Sequence, residues 1–100
     1  MGGDIMKYSV ALKVVCVNNL FNDEYKLVYT CKDKDNQSYE FISEAKIPMY
    51  NYIAMEFNDY TIIRGVIRPV RGSVYPLNVK NNKLYLYDSL YKSGKYPKIN

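Results

Sequence analysis

The sequence contains no histidine and no tryptophan, and only two of its 100 residues are cysteines. Without histidine, the chain lacks the commonest general base near neutral pH and the commonest nitrogen ligand of metal ions. Cys16 and Cys31 allow at most one bridge, and each lies in an apolar stretch where a small buried thiol packs well. We therefore expect reduced, structural cysteines and no metal site.

Signatures of catalysis are missing too. The chain has no glycine-rich phosphate loop followed by lysine, no C-x-x-C pair, no H-E-x-x-H motif and no G-x-S-x-G elbow. Asp33 and Asp35 lie in the polar stretch KDKDNQ, whereas a calcium loop needs a longer run of oxygen ligands. We interpret both as turn residues and predict a protein that is not an enzyme, with no catalytic residue and no cofactor.

Long apolar runs are also absent. Residues 1–6 lack the apolar core of a signal peptide, and no apolar run approaches the roughly 18 residues that a membrane span needs. We expect a cytoplasmic protein without membrane contact. Lysine far outnumbers arginine and asparagine is plentiful, a bias typical of AT-rich coding sequence, which suggests a phage or plasmid of a low-GC bacterium.

What the chain does contain is 48% hydrophobic residues and 12 tyrosines, with few glycines and prolines. This composition is typical of a globular protein, and the length suits one hydrophobic core. We predict a single domain over residues 1–90, followed by a basic flexible tail over residues 91–100.

The net charge of +4 is unevenly divided along the chain. Residues 1–59 carry six lysines and nine acidic residues, whereas residues 60–100 carry eight basic residues and a single aspartate. Such asymmetry suggests a polyanionic partner, because neutralised phosphates account for most nonspecific nucleic-acid binding. A basic, solvated sheet edge explains the asymmetry equally well.

Three alternating stretches in the first half predict a meander of strands, over Lys7–Val17, Tyr25–Cys31 and Ser38–Ser43. The first strand presents an apolar face that consists of Tyr8, Val10, Leu12, Val14 and Cys16. Residues 44–57 have apolar residues at helix-like intervals, with Pro48 suited to a first turn, and predict a short helix or an irregular link.

The second half predicts a long strand and a closing hairpin. In NDYTIIRGVIRPVRG, Gly65 suggests a bulge or bend, and Pro69 suggests an edge or corner. Arg64 and Arg68 would then share one strand face. Farther on, a two-residue turn at residues 81–82 closes a hairpin. That register predicts a core face of Leu77, Val79, Leu84 and Leu86, and an opposite face of Asn78, Lys80, Lys83, Tyr85 and Tyr87.

This order of elements predicts a mostly β fold, a small five- to six-stranded antiparallel barrel. At YTIIRGVIRP, residues 60–69, an apolar strand carries a glycine after two isoleucines, and here the chain resembles the oligonucleotide-binding (OB) single-stranded-DNA-binding proteins. The resemblance implies an OB-like barrel that binds single-stranded nucleic acid. The chain departs from the family in its ending, KYPKIN, where bacterial members have an acidic tip, and in its lack of tryptophan.

Tyrosines among cations are the candidate binding residues, because rings stack on bases while lysine and arginine contact phosphate. The predicted nucleic-acid site consists of Arg64, Arg68, Lys80, Lys83, Tyr85, Tyr87, Lys92 and Lys95. Ion pairs with Glu40 or Glu56 are the alternative role for the arginines, and the one we favour for Arg71. The tyrosines of the first half, which we interpret as half-buried strand residues, are Tyr8, Tyr25, Tyr29 and Tyr39.

The predicted partner is single-stranded DNA or RNA, bound with little sequence preference. The alternative is a protein-binding module, such as an inhibitor of a host protein encoded by a mobile element, whose tyrosines and arginines cover an acidic protein surface. A virion or assembly component without a ligand is a third interpretation. The sequence leaves homo-oligomerisation open.

Overall fold

The computed structural model describes residues 8–77 and Pro97. Within this part of the chain the regular structure is entirely β, which confirms the predicted class. Seven strands form one sheet: β1 (Tyr8–Asn19), β2 (Leu27–Lys32), β3 (Ser38–Ser43), β4 (Tyr52–Phe57), β5 (Asp59–Ile63), β6 (Val66–Val70) and β7 (Ser73–Pro76). Their order across the sheet is β5-β6-β3-β2-β1-β4-β7.

The predicted meander of β1, β2 and β3 is confirmed, with antiparallel pairing throughout. The apolar face of β1 is confirmed as far as Val14 but is wrong for Cys16. The register with β2 shifts between these two residues, which indicates a bulge. Because one extra residue inverts the alternation, Val17 packs against the core instead.

The link between β3 and β4 is irregular over residues 44–51, so the helical alternative is wrong and the irregular one correct. The buried Tyr29 hydroxyl donates to the carbonyl of Ala45 and accepts from the Ile47 N–H at 3.0 Å. From Tyr52 onward the segment is strand β4, in which Ile53 and the next two alternate residues are buried. That period of two favours a strand over a helix.

Residues 59–70 form a hairpin, and the predicted single long strand is wrong. Ile63 pairs with Val66 across a turn of two residues, Arg64 with φ 53° and Gly65 with φ 77°. Two positive φ values are typical of a type I′ turn, whose twist matches that of the strands. Gly65 therefore reverses the chain rather than bending it. Arg64 consequently lies in the turn and does not share a strand face with Arg68.

The sheet curls into a barrel-like shape. β5 lies at one end of the strand order and β4 lies near the other, yet Asn58 alone separates them in the chain. At this corner the Tyr8 ring stacks on Phe57 at 5.3 Å and meets Tyr60 edge-on at 5.2 Å. The prediction of five or six antiparallel strands is wrong in number, and also in direction, because β3 and β6 pair in parallel.

The core lies on one face of the sheet and includes two fully buried tyrosines, Tyr29 and Tyr39. The Tyr39 hydroxyl donates to Asp33 at 3.0 Å. Asp33 also accepts backbone N–H bonds at 2.9 Å from Asp35 and Gln37, which confirms its role in the turn. Of the four tyrosines interpreted as half-buried strand residues, Tyr8 alone fits: it lies in β1 and packs against the core, whereas Tyr25 is 73% exposed and precedes β2. The interpretation is wrong for Tyr29 and Tyr39, which are fully buried. Both thiols are free, as expected.

The predicted closing hairpin, with its turn at residues 81–82, lies outside the described residues, apart from residues 74–77. Strand β7 covers the start of this stretch and pairs antiparallel with β4. In the predicted tail, Pro97 alone is described. It is buried, and its carbonyl accepts a hydrogen bond at 2.9 Å from Nε2 of Gln37.

Candidate nucleic-acid interface

A row of directly opposed residues crosses the outer face of the sheet. Directly opposed residues of neighbouring strands point to the same face. The register joins Tyr52 of β4, Lys13 of β1, Lys32 of β2, Ser38 of β3 and Val66 of β6, which we call the transverse row. Chain neighbours of these residues, such as Leu12, Cys31 and Ile67, are buried in the core. With four interstrand spacings, the row is about 19 Å long.

Two lysines face each other in the middle of the transverse row. Lys13 and Lys32 are cross-strand partners, and both are half-buried. Like charges placed directly opposite each other destabilise a sheet. Within residues 8–77, neither ammonium has a carboxylate at salt-bridge distance. An anion bound between them would remove this repulsion, so the pair is a candidate phosphate site.

Two tyrosine rings lie beside Lys13, one member of the lysine pair. The Nζ of Lys13 is 5.7 Å from the centre of the Tyr50 ring and 5.9 Å from that of Tyr52. Both distances are within cation–π range. Tyr50 is 62% exposed, so an aromatic residue is open to solvent next to a cation.

Tyr50 also has an unusual backbone. Its φ is 67°, in the left-handed region, which costs an L-residue roughly 1–2 kcal/mol. Two backbone hydrogen bonds hold this conformation. The Tyr50 N–H donates to the Val14 carbonyl at 2.7 Å, and the Val14 N–H donates to the Asn51 carbonyl at 2.9 Å. Because Val14 directly follows Lys13 in β1, these bonds place Tyr50 beside Lys13.

Of the predicted site residues, Arg64 and Arg68 fall within the described chain, and the structure separates them. Arg64 is exposed in the hairpin turn, two residues from the end of the transverse row at Val66. Arg68 lies within β6 and pairs with Glu40, its Nη1 2.6 Å from Oε1. The ion pair considered as the alternative role is thus present for Arg68. Arg71 has no carboxylate partner in the described part of the chain.

The other predicted site residues lie outside the described residues, namely Lys80, Lys83, Tyr85, Tyr87, Lys92 and Lys95. Four residues of the interface were not predicted, namely Lys13, Lys32, Tyr50 and Tyr52. Lys13 lies on the face of β1 opposite the predicted apolar one. Its neighbours on other strands depend on register, which no local pattern of the first half specifies.

A cleft of about 560 Å³ opens between β3 and β6, where their short ladder ends. It is lined by Glu40–Ser43 and Ala45 from the first half, and by Met55, Arg68–Gly72 and Val74 from the second.

Burial raises the pKa of the Cys31 thiol from 9.0 to about 12, so this cysteine is neutral and unreactive near pH 7.

The described residues contain no group of three or more acidic or cysteine side chains placed to hold a metal ion. In the same part of the chain, no helix has the length and apolarity to cross a membrane.

Comparison of the chain with protein-family models, curated proteins and solved structures finds no match.

Proposed function

We propose that this protein is a small OB-like barrel that binds single-stranded DNA or RNA with little sequence preference. The observation that carries the proposal is the transverse row, in which Lys13 and Lys32 oppose each other with two tyrosine rings alongside. Cations that follow a backbone and rings that stack on bases are the two components of a single-strand binding surface.

The connection of the strands supports the OB part of the proposal. If β4 and β5 are taken as one strand bent at Asn58, that strand pairs with β1 through its first half and with β6 through its second. β6 in turn pairs with β3. Counted this way, five strands close on themselves, as in a five-stranded, partly open barrel of the OB type. β7 is then an addition to the edge of β4.

The chemistry of the transverse row favours a single strand over a duplex. A ring stacks on the face of any base, and those faces are accessible only when the bases are unpaired. Lysine contacts phosphate as a point charge and carries little base information. Tyr50 and the lysine pair would therefore bind many sequences with similar affinity. From the amino-acid composition, we propose that a phage or plasmid of a low-GC bacterium encodes the protein, which would act in the cytoplasm.

Fluorescence anisotropy with a labelled oligonucleotide of about 20–30 nucleotides tests the proposal. We expect binding that weakens steeply from low to moderate salt, because bound cations release counterions from the phosphates. Homopolymers of different bases should bind within about tenfold of one another, and an unlabelled duplex should compete poorly. An absence of binding to both DNA and RNA at low salt would exclude the proposal.

The alternative partner, an acidic protein surface, would use the same cations and rings. A protein that folds, binds no oligonucleotide at low salt and still binds an acidic protein through Lys13 and Lys32 would fit this alternative instead.

A further inference from the structure

Strand β5 has an open edge. It stands at one end of the strand order, and within the described part of the chain it is hydrogen-bonded to β6 alone. A type I′ turn of two residues is closed by a hydrogen-bonded pair, here Ile63 with Val66, and bonded and non-bonded pairs then alternate along the ladder. The backbone N–H and C=O groups of Tyr60 and Ile62 therefore face away from β6. Groups of this kind are a template for pairing with another strand.

The same strand exposes apolar side chains on both of its faces. Ile62 is 44% exposed, although its cross-strand partner Ile67 is fully buried in the core. Ile63 is 49% exposed and points to the opposite face. Edge strands commonly carry lysine or proline, which discourage pairing. The sequence of β5, DYTII, has neither, so the edge offers apolar area as well as backbone groups.

Two copies of β5 match each other when they pair antiparallel around a two-fold axis at Thr61. In that register Tyr60 lies opposite the partner's Ile62, and the symmetry repeats the contact. Both outward-facing residues of each copy then exchange backbone hydrogen bonds. An axis one residue away would place one of them opposite the corner at Asn58 or the turn at Arg64 instead.

The side chains that this register brings together are compatible. Ile62 lies beside the partner's Tyr60, and pairs of an aromatic with a β-branched residue stabilise antiparallel strands. Thr61 lies opposite the partner's Thr61, which is another favourable cross-strand pair. The exposed part of Ile62 is thereby removed from water without burying a charge.

The charges at the two ends of β5 are complementary in the same register. Asp59 lies opposite the partner's Ile63, one residue from the partner's Arg64. Both charged residues are exposed, and within residues 8–77 Arg64 has no carboxylate partner. Oδ1 of Asp59 accepts the Tyr60 N–H at 2.8 Å. Once that N–H donates to the partner's Ile62 carbonyl, the carboxylate is free to bind the partner's guanidinium, and this happens at both ends.

We propose that β5 is a dimerisation edge, which pairs with β5 of a second copy of this chain around a two-fold axis at Thr61. The contact consists of two five-residue strands and two hairpin turns. It is smaller than the roughly 1,200 Å² that a stable interface buries, so the dimer is reversible and dissociates on dilution. This inference does not rest on nucleic-acid binding by the transverse row.

The residue on the axis gives the first test, because it faces its own copy. Thr61→Lys and Thr61→Glu each place like charges directly opposite each other, which opposes pairing. Sedimentation velocity from low micromolar to about millimolar concentration should show wild type shifting from monomer to dimer. Each variant should stay monomeric, and an equimolar mixture of the two should form a heterodimer. Thr61 is exposed, and a thermal melt verifies that both variants are folded.

A charge exchange at the ends of β5 gives the second test. Asp59→Arg and Arg64→Asp should each weaken dimerisation about tenfold or more, because each places like charges together. The double variant Asp59→Arg/Arg64→Asp restores both ion pairs and should dimerise as wild type does. Tyr75→Lys is the control. It adds a charge to an exposed residue of β7, at the other end of the strand order, and should leave dimerisation unchanged.

A wild-type protein that stays monomeric at millimolar concentration would overturn the proposal. So would a mixture of the Thr61 variants that forms no heterodimer, or a Tyr75→Lys variant that loses the dimer. Deletion of residues 2–6 tests whether the chain itself occupies the edge, because these residues precede β1, whose Tyr8 pairs with Phe57 beside the corner. If wild type is monomeric and the deletion variant dimerises, the chain's own N-terminal segment is the occupant and the proposal is wrong.

Discussion

Tyr50 combines an unfavourable backbone conformation with an exposed ring beside a cation. Glycine adopts a positive φ without the steric cost of a side chain. We therefore expect Tyr50→Gly to keep or slightly raise the melting temperature, while it weakens single-strand binding by about 1–3 kcal/mol through loss of a stacking surface. Thermal denaturation and anisotropy measure the two effects separately.

Tyr50→Phe is the control, because it keeps the ring and the backbone strain. Binding and stability should both stay close to those of wild type. If Tyr50→Gly unfolds the protein, the ring contributes to packing rather than to binding, and its place in the interface is wrong.

The burial of Cys31 makes the free energy of unfolding depend on pH. Its pKa is raised from 9.0 to about 12, so its contribution to stability is complete below pH 9 and is lost as the pH rises toward 12. Between pH 8 and about pH 10.5, this thiol should remove about 2 kcal/mol from the free energy of unfolding. Urea denaturation at both pH values should show a smaller fall in Cys31→Val than in wild type, since tyrosine and lysine titrations are common to both. Equal falls would contradict a buried thiol.

At the scale of the element, two glycines support turns for different physical reasons. Gly65 has a φ of 77° and nothing within 4 Å of a would-be Cβ, whereas Gly72 has three neighbouring atoms at 2.9 to 3.2 Å. Gly65→Ala should therefore lose about 1–2 kcal/mol through backbone conformation alone. Gly72→Ala should lose about 1–3 kcal/mol through steric overlap.

Asparagine separates the two causes, because it tolerates the left-handed conformation but is larger than alanine. Chemical denaturation should show Gly65→Asn more stable than Gly65→Ala, and Gly72→Asn no more stable than Gly72→Ala. The reverse order would mean that the two turns are assigned the wrong constraints.

Local patterns predicted some elements well and others poorly. The alternation in β1, β2 and β3 is strong because each strand has one buried and one wetter face, so their meander could be predicted. Gly65 was misassigned because glycine is compatible with a bulge or a tight turn, and the φ of its neighbour Arg64 decides between them. The helix-like spacing in residues 44–51 failed for another reason. Tertiary hydrogen bonds from Tyr29 and Val14 determine that link.

At the scale of the whole molecule, the arrangement of the strands depends on contacts between distant residues. The parallel pairing of β3 with β6 joins residues 28 positions apart in the chain, and no turn between them dictates it. The transverse row depends on four such registers at once. Lys13 and Lys32 could therefore be predicted as surface cations, but their direct opposition and the position of Lys13 beside Tyr52 could not.

The central claim is that the two opposed lysines bind the phosphates of a single strand. The most direct measurement is the salt dependence of oligonucleotide affinity in the double variant Lys13→Gln/Lys32→Gln. For single strands, the slope of log affinity against log salt is about −0.7 per phosphate contact, so losing two contacts should reduce its magnitude by about 1.4. Affinity at low salt should fall as well.

The matched control is Lys26→Gln/Lys46→Gln, which removes the same charge from two exposed lysines outside the transverse row. Lys26 lies in the loop between β1 and β2, at the far end of that hairpin from the Lys13–Lys32 pair. We predict that the slope of this control equals that of wild type, while the slope of Lys13→Gln/Lys32→Gln is reduced by about 1.4. Equal slopes for wild type and both double variants would contradict the account.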